Sequence, residues 1–239
     1  MRINCFVENI DNRNDIVLDK KNSHHLKTVL RAKIGQKIIV FNGKGDVFES
    51  IIKSIKNNEV VVESIRHQKI PKPPFTIDLY QSLPKINRWE LVLQKSVELG
   101  VTNIFPLNTK FTETKIDKKK YRRFDHIISS AAEQSEARWM PFLHETLTLE
   151  NALKNIKNYD CSLMGSLFSN TQTFKHVNWN KINKISLFIG PEGDFCKDEE
   201  ELMVSSGIMP ITFGKQILRT ETAAIFGLSI IVYELSCRL

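Results

Sequence analysis

Two glycine-containing turns that follow predicted buried strands are the best candidates for chemistry in this sequence. The first begins at Gly190, directly after the apolar run 185–189. The second begins at Gly214, after another apolar run, and is followed by Arg219 and Glu221. Glycine lets the backbone approach a ligand closely, and α/β sheets bind ligands at the carboxyl ends of their strands. The pattern therefore predicts a ligand site, although an ordinary strand-to-helix loop also contains such glycines.

The charged residues of the second turn lie where a helix is predicted to begin. A helix dipole disfavours a cation at this end, so Arg219 is predicted to face a ligand or to pair with a carboxylate such as Glu221 or Glu192. The same dipole explains Glu221 without any ligand. Helix capping would in the same way explain Thr220 or Thr222.

Other familiar chemistries lack their motifs. The sequence contains no GxxxxGK[ST], HExxH or GxSxG segment. The glycines at 43 and 45 lie between predicted strands without a third glycine, which indicates a hairpin turn and not a dinucleotide site. His24 and His25 are adjacent in a predicted helix and point in different directions, so we predict no metal site. The four cysteines form no CxxC pair and are predicted to be free thiols.

Composition narrows the function classes. The 239 residues carry a net charge of +7 and a pI of about 9.2. This balance favours a polyanionic partner such as nucleic acid, although a basic enzyme without one has the same composition. No apolar run approaches the roughly 20 residues of a membrane helix, and residues 1–8 do not resemble a signal peptide. We expect a cytoplasmic protein with no membrane partner.

The first 66 residues predict a small β-rich unit with one helix. The helix is predicted over 23–32, with Ser23 as N-cap and with Leu26, Val29 and Leu30 on one apolar face. A small barrel is the natural closure for short strands rich in β-branched residues. These strands are predicted at 38–41, 47–55 and 59–65.

Residues 67–74 end in three prolines within four positions and predict a stiff linker. After it, strands and helices alternate, which favours a parallel sheet covered on both faces. We therefore predict an α/β protein with two domains, 1–70 and 71–239. The strands of the second domain are predicted at 75–81, 103–107, 160–164, 185–189 and 208–213, and its helices at 89–99, 121–134, 197–206 and 222–235.

The order of these segments resembles the bacterial 16S rRNA uridine-N3 methyltransferases, the ribosomal RNA small-subunit methyltransferase E family of the SPOUT superfamily. The resemblance runs nearly end to end and includes segments 24–31, 90–100, 131–135, 189–193 and 217–223. It implies S-adenosylmethionine as cofactor, 16S rRNA of the small ribosomal subunit as partner, and a homodimer. It also implies an N-terminal PUA-like β-barrel that binds RNA and a C-terminal α/β domain with a deep trefoil knot. The alternatives are a non-catalytic RNA-binding or ribosome assembly module and a SPOUT methyltransferase that acts on tRNA.

The resemblance and the residue types together predict roles for individual residues. Arg219 is predicted to stabilise negative charge on the uracil oxygens, and Glu221 is the candidate base for the N3 proton. Arg31, Lys33 and Arg88 are predicted to contact RNA. The predicted cofactor-binding residues are Met164, Gly165, Ile189, Gly190, Gly193, Phe213, Gly214, Ile217 and Leu218.

Four positions depart from the family pattern. Asp194 stands where the pattern has a glycine. Cys196 replaces the usual serine or threonine helix cap, so we expect Asp194 to cap that helix instead. Cys5 and Ala137 stand where an arginine is usual, and Arg138 follows the second of these positions.

Overall fold

The protein divides into two compact units in the computed structural model, which describes residues 3–10, 14–57, 59–112, 114–167 and 171–238. The first unit comprises Met1–Lys72 together with Ser129–Met140, and the second comprises Pro73–Ile128 and Pro141–Leu239. No sequence pattern indicated that Ser129–Met140 belongs with the first unit.

The first unit is built on a five-stranded sheet. Its strand order is β1-β3-β4-β5-β2, in which β3 pairs in parallel with β1 and antiparallel with β4. The sheet surrounds a core of apolar side chains that include Leu26, Val40 and Ile52. The elements are β1 (Asn4–Phe6), β2 (Asp15–Val17), α1 (Lys20–His24) with a π-helical continuation (His25–Val29), β3 (Lys37–Phe41), β4 (Asp46–Lys56) and β5 (Glu59–Lys69). The predicted linker therefore begins too early, because residues 67–69 pair with β4 as the end of β5.

The helix of this unit begins earlier than predicted. Asp19 is its N-cap, and the Asp19 carboxylate accepts the N–H of Asn22 at 2.7 Å. Ser23 lies inside the helix and is buried, where its hydroxyl donates to the Leu18 carbonyl and accepts the Val60 N–H. The prediction of Ser23 as N-cap is therefore wrong, because this hydroxyl joins the helix to the sheet.

The predicted apolar face of the same helix is also wrong. Leu26 is fully buried, but Val29 and Leu30 are 61% and 42% exposed. The reason is the π-helical turn, in which the Leu30 N–H donates to the His25 carbonyl at 3.0 Å. Wider turns of this kind do not follow the 3.6-residue period on which the prediction depended.

The segment Ser129–Met140 is tied to β1. Glu133, from the third motif of the resemblance, accepts the Phe6 N–H at 2.9 Å, and the Arg138 guanidinium donates to the Asn4 side chain at 2.9 Å. Between these two contacts Cys5 is buried in the core, and burial raises the pKa of its thiol to about 12. A neutral side chain thus occupies the position where the family pattern has an arginine.

The second unit is a parallel α/β sheet, as predicted. Its strand order is β12-β10-β11-β6-β7-β8, and β9 also pairs with β7. The strands are β6 (Thr76–Ser82), β7 (Asn103–Asn108), β8 (Phe142–Leu143), β9 (Leu147–Thr148), β10 (Cys161–Gly165), β11 (Lys184–Ile189) and β12 (Met209–Ile211). The helices are α2 (Ile86–Glu98), α3 (Lys118–Ser135), α4 (Leu149–Leu153), α5 (Lys197–Ser205) and α6 (Thr220–Ser236), and α3 continues into the segment assigned to the first unit.

The last helix, α6, packs closely against the sheet. A Cβ atom built on Gly227 would lie 2.9 Å from the Leu187 side chain, so the absence of a side chain permits this approach. The helix buries Ala224, Leu228, Ile231 and Leu235. The helix is apolar on most sides, but Phe226 is 41% and Tyr233 68% exposed in this chain. None of the helices in the described ranges is long and apolar enough to cross a membrane.

Candidate active site

A cleft of about 290 Å³ opens where β10, β11 and β12 end. Since these strands are parallel neighbours, their carboxyl ends meet at one edge of the sheet, which is where α/β proteins bind ligands. The predicted site residues that line the cleft are Arg88, Gly165, Ile189, Gly190, Phe213, Gly214, Ile217, Leu218 and Arg219. The two glycine turns identified in the sequence therefore form one site.

Three of these glycines are required by the geometry of the cleft. A Cβ atom on Gly190 would lie 2.7 Å from the Asp194 carboxylate, and one on Gly165 would lie 2.8 Å from the Phe213 ring. Gly214 has a φ of +117°, which side chains rarely allow. At these three positions the backbone that borders the cleft therefore carries no side chain.

A buried threonine connects the elements around the cleft. The Thr220 hydroxyl donates to the Gly190 carbonyl at 2.6 Å and accepts a hydrogen bond from the Gln81 amide at 2.9 Å. Gln81 is fully buried at the end of β6 and also donates to the Ser82 carbonyl. Thr220 thus joins the beginning of α6 to two strand ends. It does not cap the helix, because the N-cap position belongs to Arg219.

The charged residues pair differently from the sequence prediction. Arg88, at the beginning of α2, donates to the Glu192 carboxylate at 3.0 Å and lies 3.8 Å from the Glu221 carboxylate. The second oxygen of Glu221, Oε2, is buried and has no hydrogen-bond partner among the described residues. Arg219 is exposed and forms no ion pair or hydrogen bond through its side chain with any residue in the described ranges. The two carboxylates considered for Arg219 are thus paired with Arg88.

The departure at Asp194 has a structural explanation. Asp194 has a φ of +60°, the left-handed region that glycine favours and aspartate tolerates. Its carboxylate accepts the N–H groups of Phe195 at 2.9 Å and Leu167 at 3.3 Å. It does not cap α5, which corrects our expectation: Glu199 reaches back to the Cys196 N–H instead.

Burial changes the acidity of two carboxyl groups beside the cleft. Burial raises the pKa of Asp194 above its usual range, although its two backbone hydrogen bonds oppose this shift. Burial also raises the pKa of Glu200, and the negative charge of Asp194 adds to that effect. The Ser166 hydroxyl donates to Glu200 at 2.6 Å and acts in the opposite direction. Both carboxyl groups therefore release their protons less readily than exposed ones do.

The remaining predicted site residues lie outside the cleft lining. The Met164 side chain is fully buried in the core of the second unit. Gly193 lies in the loop that borders the cleft, against the side chain of Phe111. Arg31 and Lys33 are exposed in the first unit, and Arg31 has a φ of +49°.

Sequence reasoning missed several residues of the site. Ser166, Leu167, Pro191, Asp194, Thr212, Gln216 and Ala223 also line the cleft. Gln81 could have been found from the sequence, because a buried polar residue at the end of an apolar strand needs a hydrogen-bond partner.

In the described part of the chain no cluster of three or more His, Cys, Asp or Glu side chains is suited to a metal ion.

A parallel α/β sheet with a glycine-bordered cleft at its strand ends is typical of enzymes that bind an organic cofactor. A family model described as RNA methyltransferase domain matches residues 71–232, and one described as RNA methyltransferase PUA domain matches residues 18–63. A ribosomal RNA small subunit methyltransferase E of Buchnera aphidicola subsp. Schizaphis graminum is 32% identical over 222 residues, which are 90% of this chain and 88% of that protein. The chain belongs to the ribosomal RNA small subunit methyltransferase E family, as the resemblance predicted.

Two solved structures show the same fold. A Legionella pneumophila protein described as a methyltransferase, in complex with the bound cofactor SAM (S-adenosylmethionine), is 31% identical and has a TM-score of 0.89 over 97% of both chains. A ribosomal RNA small subunit methyltransferase E from Neisseria gonorrhoeae, bound to S-adenosylmethionine, is 26% identical with the same TM-score over 97% of both chains. The predicted fold class, an α/β methyltransferase unit with an N-terminal PUA domain, is confirmed.

Proposed function

We propose that this protein uses S-adenosylmethionine to methylate N3 of a uridine in 16S rRNA of the small ribosomal subunit. The observation that carries the proposal is the cleft, in which two separate glycine turns meet at the carboxyl ends of adjacent strands. The relatives include one named for small-subunit rRNA, and two solved structures with the same fold contain S-adenosylmethionine.

The residues of the cleft fit this cofactor. In the stretch from Lys215 to Leu218 the main-chain N–H groups donate no hydrogen bond to another described residue, so they are available to a ligand. Ile189, Leu218 and Ala223 add apolar surface to the lining. Backbone donors beside an apolar slot suit the adenine ring and the polar methionine part of the molecule. When bound, S-adenosylmethionine supplies a methyl group already activated by its sulfonium.

The protein must then activate the acceptor nitrogen and align it with that methyl group. Uracil N3 carries a proton, and its removal spreads negative charge to O2 and O4. The exposed, unpaired guanidinium of Arg219 is available to hydrogen-bond those oxygens. Glu221 is our candidate base, because its Oε2 atom has no hydrogen-bond partner among the described residues and can accept a proton. Arg88 lies 3.8 Å from the other oxygen of this carboxylate and helps to hold it in place.

The proposal includes the wider assembly. Arg31 and Lys33 contribute RNA contacts from the first unit, and Arg88 from the second. The protein is a cytoplasmic homodimer, and the exposed Phe226 and Tyr233 of α6 form part of its subunit contact. The C-terminal part of the chain forms a trefoil knot. A stable monomer at micromolar concentration in light scattering would contradict the dimer.

Methyl transfer in vitro tests the proposed reaction. Purified protein is incubated with labelled S-adenosylmethionine and with small ribosomal subunits, free 16S rRNA or tRNA, all from cells that lack the gene. Nucleosides from each RNA are then analysed by mass spectrometry. We expect one 3-methyluridine in 16S rRNA. Transfer to tRNA alone would overturn the substrate, and RNA binding without transfer would favour an assembly module.

A further inference from the structure

An exposed phenylalanine lies directly beside the loop that borders the cleft. Phe111, which follows β7, is 47% exposed. A Cβ atom built on Gly193 would lie 3.5 Å from the Phe111 Cβ and 3.6 Å from its ring carbons. The residues around Gly193, namely Gly190, Pro191, Glu192 and Asp194, all line the cleft. The ring therefore lies next to Gly193, at the border of the site.

Hydrogen bonds fix the loop that carries this ring. The Thr109 hydroxyl donates to the Ser82 hydroxyl at 3.2 Å, and the Thr109 N–H donates to the Thr112 hydroxyl at 2.9 Å. The Lys110 N–H donates to the Glu199 carboxylate at 2.8 Å. These contacts anchor the loop to the end of β6 and to the beginning of α5. A ring held in this way loses little further freedom when a flat ligand stacks on it.

The charge around the ring suits RNA. Lys110 is exposed and its side chain forms no ion pair with any residue in the described ranges. Two carboxylates of the neighbouring segments already have partners: Glu192 pairs with Arg88, and Glu199 accepts the main-chain N–H groups of Lys110 and Cys196. A flat aromatic face beside a free cation is the combination that binds a nucleobase and its phosphate.

We propose that Phe111 is a stacking platform for an unpaired base of the RNA substrate, at or next to the target uridine. The ring holds the base beside the cleft, and Lys110 contacts the phosphate of the same nucleotide. Proteins that recognise RNA commonly stack splayed bases on aromatic side chains. This inference rests on the proposed function, because it takes RNA as the molecule that enters the site.

Substitutions at Phe111 test the platform. We compare Phe111→Ala, Phe111→Leu and Phe111→Trp for the affinity of 16S rRNA, for kcat and KM, and for binding of S-adenosylmethionine by calorimetry. Loss of one stacked base typically costs about 1–3 kcal/mol, so Phe111→Ala should lower kcat/KM by about 5- to 150-fold. The loss should appear in KM and RNA affinity and leave kcat nearly unchanged, because stacking acts equally on ground and transition states. Phe111→Trp should retain activity, whereas Phe111→Leu should behave like Phe111→Ala.

Phe142→Ala is the matched control. Phe142 is a phenylalanine of the same unit that is 63% exposed, and it contacts His144 outside the cleft lining. This variant should keep the wild-type kcat/KM. The inference is overturned if Phe111→Leu is as active as wild type, if Phe111→Ala matches Phe142→Ala, or if light scattering shows that Phe111→Ala only dissociates a dimer. If the wild-type protein transfers no methyl to rRNA, the proposed function fails, and the RNA affinities alone decide the role of Phe111.

Discussion

Replacing Thr220 by valine removes one hydroxyl from the junction beneath the cleft and nearly preserves the shape of the side chain. In the wild-type protein this hydroxyl bonds the Gly190 carbonyl and the Gln81 amide. Thr220 is 5% exposed and Gln81 is fully buried, so water cannot easily replace the lost partner. The substitution therefore leaves one buried acceptor and one buried donor unsatisfied.

The expected loss follows from these two groups. Each buried polar group without a partner costs about 1–3 kcal/mol, and the added methyl group returns about 0.8 kcal/mol. We expect Thr220→Val to lower the free energy of unfolding by roughly 1–5 kcal/mol. For a chain of this size that corresponds to a fall in Tm of about 2–20 °C. Binding of S-adenosylmethionine should weaken as well, because Gly190 borders the cleft.

The assay is denaturant and thermal unfolding followed by circular dichroism, with calorimetry for the cofactor. Thr222→Val is the matched control, because Thr222 lies in the first turn of the same helix but is exposed. It should unfold within about 0.5 kcal/mol of wild type. Equal unfolding midpoints and cofactor affinities for the two variants would refute the structural role given to Thr220.

Four further predictions concern charged residues. Arg219→Ala should bind S-adenosylmethionine almost normally but methylate about 10²–10³-fold more slowly in single turnovers, with little rescue by lysine; a parallel fall in cofactor affinity and stability would instead indicate a structural role. Because burial raises the pKa of Asp194, the folded protein should lose stability as pH rises above the ordinary aspartate value of about 4, and Asp194→Asn should remove that part of the pH dependence in denaturant titrations. A hydrogen bond from Lys69 is the main cause that lowers the pKa of Asp46 to about 2. This carboxylate therefore stabilises the fold above a pH of about 4, and the contribution is lost as the pH falls toward 2. Asp46→Asn should make the stability less dependent on pH in this range, as measured by acid unfolding. Arg31→Ala should weaken RNA binding and reduce its salt dependence by about one phosphate contact while cofactor affinity stays the same, and an unchanged salt slope would count against this contact.

The sequence predicted the parts of the fold that depend on local periodicity. The strands at 103–107 and 185–189 and the helix at 222–235 are present within a few residues of their predicted bounds. Both glycine turns of the cleft were also found, because each follows a predicted buried strand, where α/β sheets bind ligands. These features can be predicted because each depends on residues that are close together in the sequence.

Contacts between distant segments could not be read in this way. The sequence offered Glu192 and Glu221 as partners for Arg219, but Arg88 pairs with both. Arg88 lies more than a hundred residues away from either carboxylate, and only the order of strands brings them together. The link from Gln81 to Thr220 was missed for the same reason.

Local backbone geometry caused the remaining errors. The π-helical turn moved Val29 and Leu30 to the surface against the expected helical period. The left-handed conformation at Asp194 turned its carboxylate toward the Phe195 and Leu167 N–H groups and away from α5. No composition or spacing rule indicates either feature, because both depend on how the chain closes around its tertiary contacts.

The most direct test of the proposed function is mass spectrometry of 16S rRNA from cells with and without the gene. Deletion should remove one 3-methyluridine from 16S rRNA, and a plasmid copy of the wild-type gene should restore it. A copy with Arg219→Ala should restore little or none, because the variant protein still folds but methylates slowly. A methylation profile that is the same in both strains would contradict the proposal.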